Sequence, residues 1–200
     1  MSDKNGPGRG ILLTAPGWLE DLTSPAEIVI PDLRERLHWV IGLSRRNVEQ
    51  GSGGPFAAAV FAAKGGRLLA AGVNRVEPLG LSPAHAEIMA IAFAQKRLGH
   101  RDLGHDAANP SELVTSSQPC LMCLGAVLWS GVTSLVYGAE AEDVGGILGF
   151  DEGPLPPDWR EELRKRGIGI RGGELRAEAL AVLELYKNKG GTVYNSRQGF

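Results

Sequence analysis

Leu113-Val114-Thr115-Ser116-Ser117-Gln118-Pro119-Cys120-Leu121-Met122-Cys123-Leu124-Gly125-Ala126-Val127-Leu128-Trp129 is the stretch on which the reading of this chain turns. Leu113 to Thr115 reads as a strand. Pro119 then opens a helix from Cys120 to about Ser130, because proline's fixed φ and missing N–H cost nothing in a first helical turn. Ser134-Leu135-Val136-Tyr137 is the strand that follows. A second junction of the same kind lies upstream. There a strand over Arg67 to Arg75 is followed by a helix that Ser82-Pro83 opens and that runs to about Leu98, with His85-Ala86-Glu87 near its start. Strands alternating with helices imply right-handed crossovers and a sheet covered on both faces, an α/β architecture.

Outward from these junctions the rest falls into order. Phe56 to Ala63 and Arg67 to Arg75 are short apolar runs separated by Lys64-Gly65-Gly66, a hairpin signal. Before them Leu33, Leu37, Val40, Ile41 and Val48 recur at helical spacing, and the helix over 32–50 ends at Gly51-Ser52-Gly53-Gly54. Residues 1–31, rich in Gly, Pro and small polar side chains, read as an extended N-terminal arm. Beyond Phe150 come Pro154, Pro156 and Pro157, a short charged helix, and an amphipathic helix from Gly173 to Asn188 closed by Gly190-Gly191. The expected division is therefore 1–31 arm, 32–150 core, and 151–200 C-terminal helical segment and lid.

Composition narrows the function classes. The chain has 200 residues, 43% apolar and 22% charged, which suits one folded core and excludes fibrous or disordered readings. Lys plus Arg number 21 against 23 Asp plus Glu, a net charge of −2, so no basic field favours a nucleic-acid partner, and a small-molecule substrate fits better. No apolar run approaches the roughly 20 residues a membrane-spanning helix needs. The start Met1-Ser2-Asp3-Lys4-Asn5-Gly6 has no secretory pattern, so the expected location is cytoplasmic.

Cys120 and Cys123 are the two cysteines of the chain, too few for a disulfide framework, which leaves metal or redox chemistry. Each junction places its thiol or imidazole at a helix N-terminus, where unpaired N–H groups and the positive dipole end favour a thiolate. Residues three apart on a helix differ by about 60° around its axis, so both sulfurs can reach one ion. His85, Cys120 and Cys123 then make three zinc ligands with a fourth position left for water, the catalytic arrangement. Glu87, two residues from His85, projects from another face and suits a general acid and base acting on that water. Alone, Cys-x-x-Cys leaves a redox pair or half of a structural zinc site open. His38, His100 and His105 lie in unrelated surroundings as fourth ligands.

His85-Ala86-Glu87 together with Pro119-Cys120-Leu121-Met122-Cys123 resembles the cytidine deaminase-like zinc hydrolase superfamily. The resemblance implies a three-layer α/β/α sandwich with a mixed five-stranded sheet over roughly 32–150, and one Zn²⁺ per chain. Within it, Gly54-Pro55-Phe56, Asn74, Cys123 to Trp129 and Gly149-Phe150-Asp151-Glu152-Gly153-Pro154 are similar to the bacterial guanine deaminases. That likeness implies hydrolysis of guanine to xanthine and ammonia in purine catabolism, with ammeline as a further substrate. It casts Phe56 as stacking on the base and Asn74 as bonding its polar edge. It also casts Ala86 as a backbone N–H donor, Trp129 as lining the pocket and Glu152 as moving protons to the leaving amine. It further implies a homodimer whose C-terminal segments exchange, with Phe200 the aromatic end of the lid. Taken singly, Phe56 would be core and Asn74 a turn residue, and nine residues from Cys120 set Trp129 about 180° from the metal. Ser117-Gln118 departs from the Cys-Glu that many members carry, making the site less negative. The rival readings are a tRNA adenosine deaminase, a cytidine or deoxycytidylate deaminase, and a non-catalytic zinc-binding protein.

Overall fold

The run Ala57–Ala62 is buried at every position, yet its side chains divide by parity, as a strand between two helical layers requires. Ala57, Ala59 and Phe61 enter one core cluster, whereas Ala58, Val60 and Ala62 enter another. The computed structural model describes residues 10–23 and 27–195. Their order is α1 (Gly17–Thr23), α2 (Leu33–Glu49), β1 (Ala57–Ala62), β2 (Leu68–Val73), α3 (Val76–Leu79), α4 (Ala86–Leu98) and β3 (Ser111–Ser117). These are followed by α5 (Leu121–Ser130), β4 (Ser134–Ala139), α6 (Ala141–Leu148), α7 (Trp159–Lys165), β5 (Gly169–Arg171) and α8 (Arg176–Asn188).

The strands form one mixed sheet in the order β2-β1-β3-β4-β5. β1 runs antiparallel to both β2 and β3, and β4 and β5 run parallel to β3. β2 and β3 therefore point the same way across β1 and release the chain at one sheet edge, where α4 and α5 begin. Buried residues of α2 and α8 build the core on one face, and those of α4, α5 and α7 on the other. The three-layer sandwich with a five-stranded mixed sheet is what the motif resemblance implies.

α4 lies directly on β2 because Gly72 has no side chain. A Cβ there would come within 2.5 Å of the Ala90 nitrogen and 2.6 Å of the Ala86 oxygen. This close approach fixes the start of α4 against the sheet edge.

Several sequence expectations need correction. Residues 1–31 are not a featureless extended arm: 17–23 form α1, which buries Leu19, and Val29 makes an isolated bridge to Arg67. A seven-residue helix is too short to show a period. The second long helix opens at Ala86 rather than Ser82-Pro83, because the Ala84 carbonyl accepts from Arg75 N–H and the Ala84 N–H donates to Leu81. That tie to the chain leaving β2 holds 81–85 off the helix axis. The last helix opens at Arg176 rather than Gly173. Strand β5 and helix α3 are too short to show a period, whereas α6 carries Val144, Ile147 and Leu148 at helical spacing and is not among the elements expected from the sequence. No helix among the described residues is long and apolar enough to cross a membrane.

Gly72→Ala should destabilise the chain by about 1–3 kcal/mol, as overpacking does, checked by urea unfolding. An unchanged midpoint would mean that α4 is not held by this contact.

Candidate active site and metal centre

The shared direction of β2 and β3 sets the site. β2 ends at Val73 and β3 at Ser117, and β1 enters between them just after Phe56. Asn74 N–H donates to the Phe56 carbonyl at 2.9 Å. From α2, the Asn47 amide donates to the carbonyls of Gly54 and Asn74 at 2.8 and 3.0 Å, pinning both loops.

His85 and Cys120 occupy the N-cap positions of α4 and α5, each in extended conformation and neither making a side-chain cap bond. A Ser, Thr, Asp or Asn at such a position would stabilise its helix by about 1 kcal/mol. Here both caps turn their side chains toward each other instead. His85 Nδ1 lies 3.6 Å from Cys120 Sγ. With Cys123, in the first turn of α5, the three ligand atoms lie within 4.8 Å of one another. Both thiols are free of disulfides. One imidazole and two sulfurs on a shared point are the soft, three-cornered donor set that suits zinc. The sequence assignment of these ligands therefore has a matching geometry.

Charge follows the packing. A hydrogen bond from Cys123 and the contact with His85 drive the Cys120 thiol down to about 4. The same sharing with Cys120, together with burial, pushes Cys123 well up. Burial pulls the His85 imidazole down, but the Cys120 contact and the charge of Glu87 outweigh it, and the net shift is upward. Glu87, in the first turn of α4 and only 7% exposed, accepts from the Cys123 thiol at 3.4 Å. Burial first and the Cys120 charge second raise its carboxyl to about 7. Glu152 sits on the loop after α6, with its carbonyl accepting from Leu121 N–H at 3.0 Å. Its carboxyl rises to about 8 through burial and then the charges of Cys120 and Glu87.

These groups line one cavity of about 520 Å³. Of the residues singled out in the sequence, Phe56, Asn74, His85, Glu87, Cys120 and Glu152 line it, with Cys123 buried behind them. Ala86 does not line it: its side chain packs in the core under α4, although its N–H, as the first of that helix, has no partner within the helix. Trp129 is a correction. It is 89% exposed on the last turn of α5, at the end of that helix away from the cavity, as its angular offset from Cys120 indicates and contrary to the pocket role that the resemblance implies. Phe200 lies outside the described residues.

Sequence reasoning missed three residues. Phe150 packs edge-on against Phe56 with ring centroids 5.5 Å apart, and its neighbourhood was legible in the Gly149-Phe150-Asp151-Glu152 motif. Tyr194 donates no spacing signal; an aromatic shortly after Gly190-Gly191 was the only hint. Its ring meets Phe150 at 4.9 Å and His85 at 6.3 Å, and its hydroxyl accepts from Asn74 Nδ2 at 2.5 Å. Burial raises its phenol. Asn195 also lines the cavity. Gln118 is 5% exposed and lines the cavity, its Oε1 accepting from Arg160 at 3.2 Å.

A family model for the cytidine and deoxycytidylate deaminase zinc-binding region matches residues 34–139. Guanine deaminase of Bacillus subtilis is 38% identical over 116 residues, spanning 58% of this chain and 69% of that protein. A solved structure of guanine deaminase from Nitrosomonas europaea is 43% identical with a TM-score of 0.86, covering 92% of this chain and all of the other. Another solved structure, in complex with 2,6-diaminopurine, is 46% identical with a TM-score of 0.86 and covers 93% and 97% of the two chains.

Purified protein should carry zinc, and Cys123→Ser or His85→Ala should lose most of it by elemental analysis, because a site stripped of one of three ligands binds far more weakly. Full metal content in both variants would dismiss this donor set.

Proposed function

This chain belongs to the cytidine and deoxycytidylate deaminase zinc-binding family, and from that premise we propose that it hydrolyses guanine to xanthine and ammonia. The observation that carries this reading is the cavity: a buried Glu87 beside the His85, Cys120 and Cys123 group, with three aromatic rings, Phe56, Phe150 and Tyr194, and the amide of Asn74 among its walls. Glu77, Glu87, Asp151 and Glu152 line it, and no Lys or Arg does among the described residues. Such a cavity offers a phosphate no cationic side chain, and a charge buried without a partner costs several kcal/mol. That disfavours deoxycytidylate and a tRNA backbone and favours an uncharged heterocycle. The solved relatives support a purine, one being guanine deaminase and another holding 2,6-diaminopurine. Ammeline, an uncharged aminated ring, is proposed as a further substrate.

His85, Cys120 and Cys123 would hold one zinc per chain, which when bound supplies Lewis acidity and a nucleophilic water at neutral pH. The chain's own residues do the rest. Glu87 takes a proton from the attacking water and returns it to the ring nitrogen beside the carbon that bears the amine. Glu152 delivers a proton to the departing amine. Phe56 and Phe150 flank the ring, Asn74 reads its polar edge, and Ala86 N–H donates to the substrate from the start of α4. The Asn74 amide already meets Tyr194, so the base competes for a group that the tail also holds. Phe200 keeps its proposed part in the lid.

A homodimer is part of the same reading. Leu121, Met122, Leu128 and Trp129 are exposed along α5, and such an apolar stripe beside a site marks a protein interface. Tyr194 and Asn195 line the cavity of their own chain. A cytoplasmic place in purine breakdown completes the proposal.

Ammonia release should be strong with guanine, present with ammeline, and at least about 1,000-fold weaker with guanosine monophosphate or deoxycytidylate, given the cost of burying a phosphate without a cationic partner. Glu87→Gln should lower guanine kcat by about 10²–10⁴ and Glu152→Gln by about 10², as loss of general acid–base groups does. Turnover of the phosphorylated substrates and not of guanine would overturn the reading. Light scattering should give two copies for the native chain and one for Trp129→Glu; a native monomer would remove the dimer.

A further inference from the structure

The loop 149–153 carries Glu152 and has no helix or strand of its own, so something else must hold its carboxyl in place. Two ties are local. Leu121 N–H donates to the Glu152 carbonyl, and the Asp151 carboxylate accepts from Gly153 N–H at 2.9 Å. The third comes from far along the chain. Asn195 Oδ1 accepts from Asp151 N–H at 2.9 Å, while Asn195 Nδ2 donates to the Gly149 carbonyl at 2.7 Å. One carboxamide thus makes a pair of opposed bonds like those a neighbouring strand would make, to Gly149 and Asp151, across the three residues that precede Glu152.

The tail that delivers Asn195 is itself anchored. Tyr186 of α8 packs its ring on Gly191, where a Cβ would lie 2.3 Å from a ring carbon, and its hydroxyl donates to the Thr192 carbonyl at 2.7 Å. Tyr194 is bonded to Asn74 on the other wall. Asn195 is therefore held from behind and beside, and bonds the loop from a fixed place.

We propose that Asn195 is a positioning residue for Glu152, so that the seating of the tail over the cavity and the placement of the proton donor are one event. This rests on the reading of Glu152 as proton donor to the leaving amine. A misplacement of about 1 Å in such a group costs of order 10²-fold or less in rate, so Asn195→Ala should lower guanine kcat about tenfold with KM little changed. In a Glu152→Gln background the same substitution should leave kcat unmoved, because the carboxyl it positions is gone. Equal tenfold losses in both backgrounds would show Asn195 acting independently of Glu152 and overturn the proposal. Amide hydrogen exchange across Gly149–Gly153 gives a readout free of turnover. It should quicken about tenfold in Asn195→Ala, following the loss of the Asp151 and Gly149 bonds. Unchanged exchange there would overturn the clamp whatever the kinetics. Undiminished guanine turnover in Glu152→Gln would instead sink the reading of Glu152, with the exchange result still judging the clamp.

Discussion

Everything at this site depends on β2 and β3 running in the same direction on either side of β1. That arrangement makes two strands end at one sheet edge and two helices begin there. A helix start has unpaired N–H groups and a positive dipole end, a favourable place for thiolates. His85 and Cys120 sit at those starts as caps that do not cap. Each helix forgoes about 1 kcal/mol of capping stability, and the side chains so released converge with Cys123. Gly72 completes the constraint, since any side chain there would lift α4 and carry His85 away from the cysteines.

Burial then differentiates groups that chemistry alone would leave alike. Cys120 and Cys123 share one hydrogen bond, and it holds one thiol down to about 4 while pushing the other up. Glu87 and Glu152 both rise through desolvation and through the Cys120 charge they share. The cavity walls gather Glu77, Glu87, Asp151 and Glu152 with no Lys or Arg among the described residues, so an anionic ligand would find no cationic side chain to pair with. Gln118 presents a neutral amide to the cavity, tied to Arg160. Arg160 in turn donates to Tyr137 and Glu140, joining the ends of β3 and β4 to α7 beyond the Glu152 loop.

The tail contributes as much to the cavity as the core does. Tyr194 and Asn195 come from the segment after α8, yet they touch Asn74, Phe150, His85 and the loop before Glu152. Packing of Tyr186 on Gly191 explains how so short a segment keeps its course.

What the sequence determined by itself was local and chemical. The hairpin, the 32–50 helix and the two strand-to-helix junctions follow from period, turn glycines and proline placement, which act over a few residues. His85, Cys120 and Cys123 were legible as a candidate metal group because donors must be of particular types at particular spacings, and Glu87 because a carboxyl beside such a group suits proton transfer. Only the tertiary structure decided the rest. Tyr194 and Asn195 meet Asn74 and Asp151 across separations of 120 and 44 residues, and no local pattern encodes such contacts. β5, with three residues, exists because β4 offers it an edge to pair with, not because its own residues demand a strand. Trp129 turned outward because a helix that begins at the site runs away from it. Ala84 kept α4 from starting at Pro83 through a single backbone bond to Arg75. Helical period and capping rules describe what a segment prefers, whereas long-range hydrogen bonds and burial choose which preferences survive.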